Sequence, residues 1–154
     1  MAAKSYKAVP RQKSRHLETI RLIRGLRWPA YADEIDRLSK VSEDCLQAAL
    51  CSWLDYQKVT YFAVPNGGKR TKAEAIALKL TGVKPGVPDL VIPIPSQDYH
   101  GMFIELKHLN NTTTPHQKAW LQTLVDAGYH CVVVKNLESA QALIKAYLKY
   151  LPHH

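Results

Sequence analysis

Residues 88–107 read PDLVIPIPSQDYHGMFIELK. Two apolar runs stand out, Asp89 to Ile94 and Met102 to Lys107, separated by a Pro95–Gly101 segment rich in turn formers. Runs of this length bounded by Pro and Gly read as strands, and the short connection makes them an antiparallel pair. Side chains alternate faces along a strand, so Glu105 and Lys107 point one way and Leu106 the other. Asp89 opens the first strand and Glu105-Leu106-Lys107 closes the second, which brings two carboxylates and one amine to the end of the pair. Oxygen ligands of this kind suit a hard divalent cation, Mg²⁺ or Mn²⁺. A lone Glu-x-Lys is usually a solvated edge pair, and Pro-Asp is a common turn dipeptide. Within two strands this apolar, charges cost free energy unless paired or metal-bound, and together they point to a site.

The chain has 154 residues and a net charge of +8. That length is most simply one domain with a real core. The charge suits a polyanionic partner. No apolar run approaches the roughly 20 residues of a membrane span, and no apolar signal core opens the chain. A cytoplasmic protein with no membrane association is therefore expected. Cys45, Cys51 and Cys131 lack Cys-x-x-Cys spacing and read as reduced thiols. There is no Gly-x-Ser-x-Gly, no Cys/His arrangement and no P-loop, which argues against covalent catalysis and ATP coupling.

Residues 1–30 carry eight basic residues, including Arg11, Lys13 and Arg15, against Glu18 alone. Residues 1–41 read as a basic extension, an arm or helix that touches DNA phosphates or packs. Leu17, Ile20, Ile23 and Leu26 recur at nearly helical spacing, a stripe that must pack on its own domain or on a second subunit. Residues 42–151 read as one domain. Ser42 caps a helix over 43–56 that places Glu43, Gln47, Leu50 and Leu54 on one face. Glu43 there either reaches a metal or simply favours the helix dipole. A strand over 59–64 ends at Pro65.

Asn66-Gly67-Gly68-Lys69-Arg70 is a turn whose amides and cations suit phosphate, or a turn with two solvated charges. Thr71-x-x-Glu74 is a capping box opening a helix that stops near Gly82, before a Gly/Pro-rich approach, Lys84 included, to Asp89. Thr114-Pro115-His116-Gln117 is a second capping box. Gln117 shares the face of Leu121 and Leu124, expected to be buried along with Trp120 and Val125. A strand over 129–135 and a helix over 137–150 close the chain. The order α-β-α-β-β-α-β-α predicts a small mixed sheet with helices on both faces.

Five blocks in this order carry a resemblance. They are Glu43 with Gln47, Asn66 to Arg70, Gly82 to Leu90, Gly101 to Lys107, and Pro115-x-Gln117. The chain resembles the PD-(D/E)XK nucleases, and within them the VRR-NUC branch, the virus-type replication–repair nuclease domain, over about residues 41–150. The resemblance implies an αβββαβ core with an inserted helix. It implies an endonuclease hydrolysing phosphodiester bonds in DNA, with Mg²⁺ or Mn²⁺ held by Glu43, Asp89, Glu105 and the Leu106 carbonyl. Lys107 would position and polarise the attacking water, and Gln117 would support it. Gln47 would back the site, and Asn66, Lys69, Arg70 and Lys84, with Arg11, Lys13 and Arg15, would contact DNA. A stand-alone phage or bacterial domain of this kind is implied to be a homodimer acting on branched DNA in replication or repair. Holliday-junction resolution is the first choice, flap cleavage the second and a restriction-type enzyme the third. A non-catalytic DNA-binding subunit with the same fold is the competing class.

Overall fold

The computed structural model describes residues 11–66 and 70–149, with side chains from residue 15 onward. The elements are α1 (Arg11–Gly25), α2 (Ala32–Ser39), α3 (Glu43–Tyr56), β1 (Phe62–Ala63), α4 (Lys72–Leu80), β2 (Leu90–Ile92), β3 (Met102–Leu106), α5 (Pro115–Asp126), β4 (His130–Val134) and α6 (Leu137–Leu148). One four-stranded sheet runs in the order β1-β2-β3-β4. β1, β2 and β3 pair antiparallel, and β4 joins β3 in parallel after the α5 crossover. The fold is the mixed α/β arrangement expected of a PD-(D/E)XK core.

The register sorts the two faces. Leu90, Ile92, Met102, Ile104, Leu106 and Val134 face a common core with Leu46, Leu50 and Leu54 of α3 and Ile144 and Tyr147 of α6. Alternate positions, Val91, Phe103, Glu105 and Val133, face the side covered by α5. The first face is closed and the second is loose. Val133 is 42% exposed and α5 buries no residue fully, so the face predicted for Trp120, Leu121, Leu124 and Val125 is only half-buried, and Val125 is 50% exposed. A single amphipathic helix of twelve residues cannot cover four strands.

Helix ends follow the local chemistry. Ser42 accepts from Cys45 N at 3.1 Å, and both capping boxes form, Thr71 with Glu74 and Thr114 with Gln117. The strands are shorter than expected. β1 keeps only Phe62 and Ala63 of the predicted 59–64, because it is an edge whose partner β2 is three residues long. Asp89 falls just before β2 rather than in it, with its carbonyl accepting from Val64 N.

The largest difference lies before residue 42. An eight-residue helix, α2, is added there, burying Ile35 and Leu38, and the α1 stripe is used inside the chain. Ile23 is fully buried, Ile20 and Leu26 pack against the same core, and Leu17 remains 48% exposed. Both helices lie on α3. The Arg24–Asp55 ion pair at 2.6 Å and a His16–Asp44 hydrogen bond at 2.9 Å tie α1 to it. If α1 and α2 are part of the cooperative core, Ile35→Ala should destabilise the whole protein by about 3 kcal/mol, the scale of a buried aliphatic truncation. Urea unfolding followed at the α3 tryptophan, Trp53, should show one shifted transition; an unshifted one would make the two helices an independent layer.

Candidate active site

The site gathers where β2, β3 and α3 meet. The alternation that sends Leu106 into the core sends Glu105 and Lys107 to the other side, where they are 1% and 6% exposed. Lys107 Nζ lies 2.9 Å from Glu105 Oε1 and 3.9 Å from Glu43 Oε1. Two buried opposite charges in contact offset part of each other's desolvation. Lys107 also donates its backbone N–H to Val134 O at 2.9 Å, so the ladder with β4 continues past the strand end and fixes where the amine begins.

Asp89 and Glu43 come from other elements. Asp89 Oδ2 accepts from Leu106 N at 2.8 Å, a bond that clips the residue before β2 to the end of β3. Glu43, in the first turn of α3, accepts from His108 N at 3.1 Å and Asn111 Nδ2 at 3.3 Å. α3 thereby clamps the loop leaving β3. Gln117 combines two roles. Its Oε1 accepts from Thr114 N at 2.8 Å in the capping box, and its Nε2 donates to Glu105 Oε1 at 2.5 Å. It therefore braces the glutamate and makes no direct bond to Lys107. Gly86 makes this possible by close approach. It has φ +86°, and a Cβ there would stand 2.7 Å from the His116 carbonyl carbon and 2.9 Å from Gln117 N.

A cleft of about 510 Å³ opens over these groups, lined by Glu43, Asp44, Gln47, Val64, Asp89 and Leu106. Glu105 and Lys107 lie behind its wall. Burial dominates their electrostatics. It raises the Asp89 carboxyl above its usual range, against the lowering effect of the Leu106 N–H and Lys107. It pushes Glu105 up to about 7, against the Lys107 hydrogen bond, and the neighbouring Asp89 charge adds to the rise.

Does this donor set fit a divalent cation? Glu105 Oε2 is buried and has no hydrogen-bond partner. An orphaned buried carboxylate oxygen is rare, and a cation bound there satisfies it. Among the described residues no three carboxylate, imidazole or thiolate groups stand as a ready-made cage. The fit therefore rests on Glu105 and Asp89, with Glu43 holding Lys107 and the 108–111 loop.

The remaining predicted residues are dispersed. Gln47 is half-buried in the cleft wall. Asn66 spends its amide on Val87 O at 2.5 Å, bracing the approach to Asp89. Arg70 donates to the Pro65 carbonyl, and Lys84 and Arg15 are exposed. Gly67, Gly68 and Lys69 lie outside the described residues; Arg11 and Lys13 fall in α1 without described side chains. His108 has Nε2 3.0 Å from Lys40 O and braces the end of α2. Sequence reasoning missed Asn111 and Asp44. Asn111 sits in an unpatterned loop and carried no signal, whereas Asp44 adjoins Glu43 in the capped first turn and was findable there.

The raised Glu105 value has a definite sign. The folded protein keeps this proton to about 7 while the unfolded chain releases it near 4.5. Stability is then greatest with Glu105 protonated and falls as pH rises across that interval. Thermal melts in EDTA should show this fall, and Glu105→Gln should flatten it. A slope unchanged by Glu105→Gln would mean the carboxyl titrates normally.

Comparison with known proteins gives the family. The VRR-NUC domain profile matches residues 29–136, beginning between α1 and α2. A solved structure of a VRR_NUC domain protein superposes with TM-score 0.62 at 33% identity, covering 71% of this chain and 89% of the other. No curated protein matches. Nucleases of the PD-(D/E)XK type generally use divalent metals and act on DNA. With the profile spanning most of the chain and the acidic–lysine pair seated at the end of β3, this protein belongs to the VRR-NUC family of PD-(D/E)XK-type nucleases.

Proposed function

We propose that the protein is a Mg²⁺- or Mn²⁺-dependent endonuclease that cuts branched DNA, with four-way junctions the preferred form. The observation that carries the chemistry is the orphaned Glu105 Oε2 beside a buried lysine and Asp89. Asp89 and Glu105 would hold the cation, and the Leu106 carbonyl and Glu43, which also lines the cleft while engaging Lys107 and the 108–111 loop, would be the further donors. When bound, a divalent cation would polarise a phosphoryl oxygen and lower the pKa of a water. Lys107 holds the attacking water and offsets charge on the phosphate as it becomes pentacoordinate. Gln117 and Glu43 keep Glu105 and Lys107 in place, and Gln47 supports the wall.

Asp89→Ala and Lys107→Ala should each lower cleavage of a labelled junction by at least about a hundred-fold, the scale of a charge-stabilising or proton-transferring group. DNA binding and far-UV circular dichroism should be largely retained, and EDTA should abolish wild-type cleavage. Near-wild-type cutting by either variant would falsify the site assignment. A wild type that binds DNA and never cuts it would favour the non-catalytic subunit.

Substrate form rests on a geometric argument. Resolving a junction needs two symmetric cuts, and a two-fold homodimer supplies paired sites. The α1 stripe no longer supports that dimer, since Ile23 is buried within the chain. We assign phosphate contacts to Arg70, Lys84 and Lys69 and to Arg11, Lys13 and Arg15 of the N-terminal segment, with Asn66 bonded to Val87 O. Light scattering at micromolar concentration should give about twice the 17.4 kDa chain mass, with nicks on opposing strands of the junction. A monomer that prefers flaps would overturn the resolvase reading and leave flap cleavage in its place.

A further inference from the structure

A second cleft, of about 420 Å³, lies on the loosely covered face of the sheet, below the loop that leads from α4 to Asp89. Its walls are Val83, Val87, Phe103, Trp120 and Leu124, with Lys84 at the rim. Val64 and Pro65 line both this cleft and the catalytic one, so the two are neighbours across a single wall. Trp120 and Phe103 are each half-buried, and Lys84 is exposed. An apolar cleft with two aromatic side chains and a cation at its edge is the composition that takes a flat, hydrophobic group attached to an anion.

Resting on the nuclease reading above, we propose that this cleft receives one unpaired nucleobase adjacent to the scissile phosphate, with Trp120 as its stacking surface. A base within a continuous duplex has both faces covered by its neighbours and none to offer. A base beside a branch, flap or frayed end has lost a neighbour and can leave the stack cheaply. The cleft therefore favours branched over continuous DNA without reading sequence, since every base has a π-face. Lys84 at the rim holds the phosphate of the same nucleotide, and the Asn66–Val87 bond ties two of the cleft's lining residues together.

The test is a binding measurement that does not require cutting. A splayed-arm DNA carrying 2-aminopurine at the first unpaired position is titrated with protein in EDTA. The wild type should quench the fluorophore, Trp120→Phe should retain most of the quenching, and Trp120→Ala should lose it. Trp120→Ala should also bind the splayed arm about ten-fold more weakly, the scale of one lost base–aromatic stack, with affinity for a fully paired duplex unchanged. Should Trp120→Ala fail to fold, Lys84→Glu on the exposed rim should weaken splayed-arm binding more than duplex binding. The proposal is overturned if Trp120→Ala quenches like wild type, if it weakens both DNAs equally, if Lys84→Glu does the same, or if Trp120→Ala converts a dimer to a monomer, which would make the cleft a subunit contact. Quenching without any cleavage in Mg²⁺ would sink the nuclease reading and leave the cleft standing. Cleavage with a branch preference indifferent to Trp120→Ala would do the reverse.

Discussion

Lys107 and Glu105 meet at 2.9 Å at the end of a strand otherwise built from Met, Phe, Ile and Leu, and both are almost wholly withdrawn from water. Such a pair is no easy source of stability, because the attraction must first repay two desolvations. Removing either partner would leave a buried charge at a cost of roughly 3–5 kcal/mol, or force the survivor to neutralise. The surroundings follow from this constraint. Gln117 comes from α5 to donate to Glu105, Glu43 comes from α3 to stand 3.9 Å from Lys107, and the Val134 carbonyl fixes the Lys107 backbone. Helices from both faces of the sheet and its parallel edge converge on two residues.

The pair is still incompletely satisfied, and that is its chemical interest. One Glu105 oxygen has no donor, and burial holds both Glu105 and Asp89 toward their neutral forms. A site in this state gains most from a bound cation, because the ion supplies the missing partner and the charge that favours ionisation. The same arrangement that costs folding free energy would thus be recovered as affinity for metal.

The two faces of the sheet divide the work. The α3–α6 face is close-packed and backed by α1 and α2, so it provides a rigid floor on which Glu43 and Leu106 are set. The α5 face is looser, with Trp120 and Phe103 half-buried beside a cleft. A close-packed floor holds side chains to a fixed geometry, whereas a loosely covered face leaves open space beside the sheet.

Local signals in the chain were enough for every helix but α2, for the caps at Ser42, Thr71 and Thr114, for the antiparallel β2–β3 pair and for the placing of Asp89, Glu105 and Lys107 at one end of it. These depend on nearest neighbours: alternation along a strand, an oxygen at the N-cap, Gly and Pro at turns. Local signals did not carry α2, whose three buried positions leave too short a pattern to read, nor the choice of α3 as partner for the α1 stripe, since an apolar stripe specifies only that something covers it. Gln117 was legible as a cap and as a face residue, but its bond to Glu105 depends on Gly86 letting two loops touch. Asn111 on Glu43, the orphaned Glu105 oxygen and the wall shared by the two clefts are likewise products of packing between residues far apart in the chain. What the residues determined by themselves was which groups are chemically able to form the site. How far each is buried, and so how hard each is to ionise and what it must be paired with, was decided only when the sheet closed over them.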